Sequence, residues 1–300
     1  MRTALRSTVV TGLVLGAAVL GLPATAYADE SPRYSPVGYD VSHPQCGQSL
    51  PSDPAFAVIG VNGGLATTAN DCLAEQWAWA SRSTGAVAGQ PRVQLYVNTA
   101  NPGQVRDLVT TWPTSGVNRY GRCDGSNSAA CSYEYGVDRA EGDLLIALDA
   151  VDEPGGAASG VGPSPDADVD DLAGYRWWLD VETMNTWQTG GADARRNNRA
   201  ALEGMADHVT AVGGEVGLYS TGRQWAQIVG TVPAGSSLYD LDSWLAGAES
   251  LAGAVGRCQE APLVGGGRVV LTQYVVGDLD RNHVCAPAAE PEVGSAPLGG

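Results

Sequence analysis

Apolar and polar positions along this chain fall into short runs of two kinds. The first kind is compact and rich in Val, Leu and aromatics: residues 55–61 (AFAVIGV), 92–98 (RVQLYVN), 175–182 (YRWWLDVE), 216–220 (VGLYS), 243–246 (SWLA) and 269–275 (VVLTQYV). Each predicts a strand, and Tyr39-Asp40-Val41 predicts a brief one ahead of them. The second kind repeats at helical spacing. Leu73, Trp77 and Ala80 share a face over 71–82, with Asn70 placed to cap it. Ala140, Leu144, Leu145 and Leu148 do the same over 137–151, and a long helix is expected over 192–212. Strands alternating with helices predict parallel βαβ units, hence an α/β barrel or an open sheet. Residues 153–171 and 286–300, rich in Gly, Ala, Pro and acids, read as solvated loop or disordered tail.

The first 28 residues change the picture of where the chain works. Arg2 and Arg6 precede an apolar run from 9 to 22, and Ala26-Tyr27-Ala28 follows in the pattern of a signal-peptide cleavage site. The run is short for a bilayer span, which takes about 20 residues. A secreted, extracellular protein is expected, with a retained N-terminal anchor as the alternative. About 270 residues would remain, which suits one large domain or two small ones and is enough to bury a full core.

Charge narrows the partners. The net charge is −16, and all basic residues are Arg. Loss of Arg2 and Arg6 with the leader would make the balance more negative still. Such a surface argues against nucleic acid, and against long-range steering to anionic wall polymers. With no Lys there is no phosphate loop, and no Gly-x-Ser-x-Gly elbow is present.

The six cysteines are Cys46, Cys72, Cys123, Cys131, Cys258 and Cys285. In an exported chain they read as three disulfides; fifteen pairings are open, and pairing of nearest neighbours in sequence is the expectation. The competing zinc reading lacks a Cys-x-x-Cys, and His43, His208 and His283 are scattered. Neither metal nor cofactor is expected.

Candidate chemistry lies with the acids. Asp180 and Glu182 stand two apart at the end of an apolar strand, and alternation puts such residues on one face. In a barrel that face looks into the mouth, where strand C-terminal ends carry catalytic groups. Asp40 ends the first strand likewise, and Asp280 follows the last. Acids sharing a pocket split their proton affinities, which suits glycosidic cleavage: one protonates the leaving oxygen, another supports the developing positive charge or a water. A solvated strand end is the alternative for the Asp-x-Glu pair.

Several short motifs carry a resemblance. Gly38-Tyr39-Asp40-Val41-Ser42-His43 resembles the opening Gly-Ile-Asp-Val-Ser-His strand of family 25 glycoside hydrolases, the Chalaropsis-type lysozymes. Leu179-Asp180-Val181-Glu182 is similar to that family's Asp-x-Glu strand, Gly217-Leu218-Tyr219-Ser220 to its Tyr-bearing strand, and Ser243-Trp244-Leu245-Ala246 to its Trp-x-Ala strand. Thr272-Gln273-Tyr274, with Asp280-Arg281-Asn282 beyond, resembles its closing Gln-Tyr strand and Asp-x-Asn. The motifs occur in family order across most of the chain.

The resemblance implies an irregular (β/α) TIM-like barrel in one domain over 29–285, acting as a monomer on the β-1,4 bond of peptidoglycan. Glu182 would be the general acid. Asp180 would assist the substrate N-acetyl group or stabilise charge, and Asp40 and Asp280 would tune the pocket. Tyr219, Trp244, Gln273 and Asn98 would contact the glycan, with ordinary core packing as the alternative for the two aromatics. Departures from the family are plain too. Asn62-Gly63-Gly64 replaces an acidic Thr-Glu-Gly, Leu95-Tyr96-Val97-Asn98 a Tyr-His-Phe type strand, and Pro44 a Trp. An insert carrying Cys123 and Cys131 could form a lid or rim over the mouth. The altered strands motivate a rival, a carbohydrate-binding barrel that has lost turnover. His43 follows the first strand within reach of the pocket; a local structural hydrogen bond is the expected role, with a place in the pocket as the alternative.

Overall fold

The computed structural model describes residues 37–152 and 172–285. The expected leader at 1–28, the loop at 153–171 and the tail at 286–300 lie outside them. In chain order the elements begin with β1 (Gly38–Val41), β2 (Phe56–Gly60), α1 (Leu73–Ala80) and β3 (Val93–Asn98). A small hairpin, β4 (Val117–Asn118) with β5 (Gly121–Arg122), precedes α2 (Ala129–Asp152). Then come β6 (Arg176–Asp180), α3 (Ala192–Ala211), β7 (Glu215–Ser220) and α4 (Gly222–Ile228). The last are β8 (Asp242–Ala248), α5 (Leu251–Arg257), β9 (Val269–Val276) and β10 (Leu279–Val284).

Eight strands close a barrel in the order β1-β10-β9-β8-β7-β6-β3-β2. Neighbours are parallel except β10, which runs antiparallel to both β9 and β1. The expected α/β barrel is therefore the observed one, and its irregularity is this reversed strand. No helix among the described residues is long and apolar enough to cross a membrane.

Side chains alternate across the barrel wall as the strand period requires. Trp177 faces outward and packs with Leu179, Leu202, Met205 and Val209 between sheet and helices. Trp178 faces inward and packs with Phe56, Val58, Tyr219, Trp244 and Leu271. Its indole N–H donates to Gln94 Oε1 at 2.9 Å. These rings fill the barrel because small residues stand opposite them. A Cβ at Gly217 would overlap the Trp178 ring, and one at Gly38 the Phe56 ring. An aromatic plug therefore sits beneath the rim where the parallel strands end.

The structure differs from the sequence-based expectations in four places. Helix α1 starts at Leu73, because Asn70 Oδ1 accepts the Cys72 N–H at 3.1 Å and forms a turn ahead of the helix rather than its cap. Helix α2 starts at Ala129, well before residue 137. Its first turn is anchored by the Cys123–Cys131 disulfide, and Gly136, a poor helix former, fits there because α3 packs directly against it. β6 ends at Asp180, so Glu182 lies just past the strand. Asp280, expected beyond the last strand, lies inside β10.

The cysteine insert is not a lid. Tyr120 donates its hydroxyl to Glu203 Oε2 at 2.7 Å, Arg119 pairs with Asp207, and Asn118 Nδ2 donates to the Ala130 carbonyl at 2.9 Å. The hairpin is thus held on α2 and α3, and no residue of it lines the cavity at the mouth. All six cysteines are bridged as nearest neighbours in sequence: Cys46–Cys72, Cys123–Cys131 and Cys258–Cys285.

Candidate active site

Parallel strands deliver their C-terminal ends to one rim, and the reversed β10 delivers its beginning to the same rim. Asp40 and Asp280 face each other in the β1–β10 register, and Asn98 and Asp180 in the β3–β6 register. Asp40, Asp180, Glu182 and Asp280 all line one open cavity of about 260 Å³, together with Asn98, Tyr219, Trp244 and Gln273. All eight residues singled out from the sequence are brought together there.

Each acid is held differently. Asp40 is buried and accepts two carboxamide hydrogen bonds, from Gln273 Nε2 and from Asn282 Nδ2, both at 2.7 Å. Asp180 is 4% exposed; its Oδ2 accepts from Asn98 Nδ2 at 2.7 Å, while Oδ1 has no partner among the described residues. Glu182 is half-buried and accepts from Gln224 Nε2 at 3.4 Å. Gln224 is fixed in turn by the Thr183 N–H, donated to its Oε1 at 2.7 Å. Tyr219 donates its hydroxyl to Gln273 Oε1 at 2.9 Å, so Gln273 joins Tyr219 to Asp40.

Burial moves every one of these acids the same way, and the crowding of like charges adds to it for Asp40, Asp180 and Glu182. Burial, helped by Asp280, pushes Asp40 up to about 8 against the pull of its two carboxamide donors. Burial and the neighbouring Glu182 raise Asp180 well above the carboxylate range, and the Asn98 bond opposes them. Burial and Asp280 raise Glu182, and burial raises Asp280. The Tyr219 hydroxyl is raised by burial and by the acids around it. Raised proton affinities in a pocket open to a ligand are what acid catalysis requires.

The aromatics form the floor. Trp244 is 1% exposed, its ring 4.4 Å from Tyr219 and 5.7 Å from Trp178 between centroids. Tyr96 meets Trp244 edge-on at 6.4 Å. His43 stands exposed at the lip, its Nδ1 at 3.5 Å from Ser42 Oγ.

The chain is similar to two solved structures. A bacterial lysozyme from Streptomyces coelicolor aligns at 16% identity and a TM-score of 0.43, over 84% of this chain and 93% of that one. A muramidase from Trichobolus zukalii aligns at 15% identity and a TM-score of 0.40, over 84% and 94%. No family model and no curated protein matches the chain.

Three residues of the site had no place among the sequence candidates. Gln224, on α4, holds Glu182; the Thr221-x-x-Gln224 spacing is the sequence signature of a helix start, and Thr221 Oγ1 does accept the Gln224 N–H at 3.1 Å. Asn282 was visible only as part of a motif, and its role on Asp40 appears once β10 is paired with β1. Asn62, at the end of β2, is buried and accepts the backbone N–H of Asn98 at 2.7 Å. Its sequence context marks it only as a departure from the family's acidic Thr-Glu-Gly.

Proposed function

We propose that this protein is a secreted glycoside hydrolase that cleaves a β-1,4-linked glycan of the peptidoglycan type, in the manner of the family 25 lysozymes its motifs resemble. The observation that carries the reading is the convergence of Asp40, Asp180, Glu182 and Asp280 on one open cavity above an aromatic floor. Glu182 is the general acid: it is half-buried at the cavity edge, where it can recover a proton from water, and its proton affinity is raised. Asp180 lies deeper with one carboxyl oxygen unpartnered among the described residues. That oxygen is available to a substrate N–H or to the positive charge developing at the anomeric carbon. Asp280 raises the proton affinity of Asp40, and Asp40 that of Asp180, while Tyr219 lines the cavity with Trp244 buried behind it. Full pairing of the cysteines fits an oxidising compartment, in keeping with the leader-like segment at 1–28.

The test is release of new reducing ends from purified peptidoglycan by the protein freed of residues 1–28. Glu182→Gln keeps the shape and the Gln224 contact but cannot donate a proton. It is expected to lower turnover by about 100-fold or more. Equal rates for the two proteins refute the assignment. Binding of glycan fragments by calorimetry without product from wild type would identify the rival, a sugar-binding barrel without turnover.

A further inference from the structure

Behind the rim, a chain of hydrogen bonds runs from a helix to Asp180, a buried acid of the pocket. Asp143, on α2, is 3% exposed and does not line the cavity. Its Oδ1 accepts from Asn62 Nδ2 at 2.8 Å. Asn62 Oδ1 accepts the backbone N–H of Asn98 at 2.7 Å, and Asn98 Nδ2 donates to Asp180 Oδ2 at 2.7 Å.

We propose that Asp143 is a positioning residue for Asp180, acting through Asn62 and Asn98. This rests on the reading of Asp180 as part of the reacting pocket. A carboxamide has a donating end and an accepting end, and a flip of Asn62 would set its NH₂ against the Asn98 N–H, donor against donor. Asp143 Oδ1 accepts from Asn62 Nδ2, so Asp143 and the Asn98 N–H together fix which end of Asn62 faces inward. With Asn62 set, the last residue of β3 is held, and its side chain presents Nδ2 to Asp180. A plain fastening of α2 to the barrel does not account for Asp143. Its Oδ2 has no partner among the described residues, and a buried acid so placed is a costlier fastener than an apolar side chain. Arg139, one turn earlier on α2, offsets only part of that cost.

Two substitutions separate orientation from charge. Asp143→Ala and Asp143→Asn both remove the titrating carboxyl group, but only Asn keeps an oxygen to accept from Asn62. Carboxyl ¹³C titration should place the Asp180 midpoint higher in the Ala protein than in the Asn protein, because the Asn98 bond holds it down. The Asn98 amide should exchange with solvent about tenfold faster in the Ala protein. On a glycan that wild type cleaves, Asp143→Ala should lower kcat about tenfold with KM little changed, and Asp143→Asn should restore it. Identical Asp180 titrations and equal Asn98 protection in the two folded variants overturn the proposal. The two spectroscopic readouts need no turnover, so a wild type without activity removes the hydrolase reading and still decides this one.

Discussion

Gln273 donates its Nε2 proton to Asp40 Oδ2 at 2.7 Å while accepting the Tyr219 hydroxyl at 2.9 Å. One carboxamide from β9 thereby ties an acid of β1 to a phenol of β7. Gln273→Leu removes both links at similar volume. Because the Gln273 bond pulls the Asp40 proton affinity down, its loss should move the Asp40 midpoint further up, read by carboxyl ¹³C NMR. Glycan turnover should fall about tenfold or more, as for loss of a hydrogen bond to a carboxyl group. An Asp40 midpoint that stays put or drops contradicts the account.

The buried acids also set how stability varies with pH. Asp40 rises from an ordinary 3.8 to about 8 in the folded protein, and burial takes Asp143 to about 7. Between these limits the folded protein keeps protons that the unfolded chain has lost, so stability falls as pH rises. The contribution is complete below the ordinary carboxylate range and gone once pH has climbed through about 8. Asp180, Glu182 and Asp280 are raised too and act in the same direction. Tm at pH 5 should exceed Tm at pH 8.5, each kcal/mol of this linkage being worth about 2–4 °C in a chain of this size. Asp143→Asn should narrow the gap. A protein more stable at pH 8.5 than at pH 5 would show that the acids are not held as described.

Much of this arrangement is readable from the chain, and the unreadable parts share a cause. The parallel strands announce themselves because both faces are buried, as in β2, where every residue from Phe56 to Gly60 is covered. The acids that end β1 and β6 stand out against such runs. β10 (LDRNHV) does not, since its polar residues face partners that only closure supplies: Asn282 reaches Asp40 on a strand far back in the sequence. Its one local signal is Val276-Gly277-Asp278-Leu279, a two-residue hairpin with Gly277 at φ 66°. α4 and α5 span seven residues each, too short for helical periodicity to show. The Asp143–Asn62 contact is invisible for another reason: it joins a helix to a strand end through two polar side chains whose burial only the packed barrel reveals.

The Cys123–Cys131 link fastens the insert at the start of α2, beside Trp112 and Tyr135 and away from the cavity. Replacing both cysteines by Ala should lower stability by about 2–3 kcal/mol, from the loop entropy of the unfolded chain. Urea unfolding measures it, and turnover per folded molecule should not change. Lost turnover at unchanged stability would mean that the insert reaches the pocket after all.

Helices α2 and α3 meet backbone to backbone, and two glycines make that possible. A Cβ at Gly204 would overlap the Tyr133 carbonyl, and one at Gly136 would overlap the Ala201 carbonyl. Neither obstacle can rotate away, so Gly204→Ala must push the helices apart. That separation strains the Tyr133–Asp207 hydrogen bond that crosses the same seam. A loss of about 1–3 kcal/mol or more is expected, in the range of overpacked cores. Gly142 lies on α2 as well, but nothing stands within 4 Å of its would-be Cβ. There the better helix propensity of Ala should prevail, and Gly142→Ala should stabilise by about 0.5–1 kcal/mol. The opposite signs, measured by urea unfolding of the two single variants, distinguish tight helix contact from a general dislike of substitution on α2 and α3. Two losses, or two gains, would mean that the helices do not approach through these glycines.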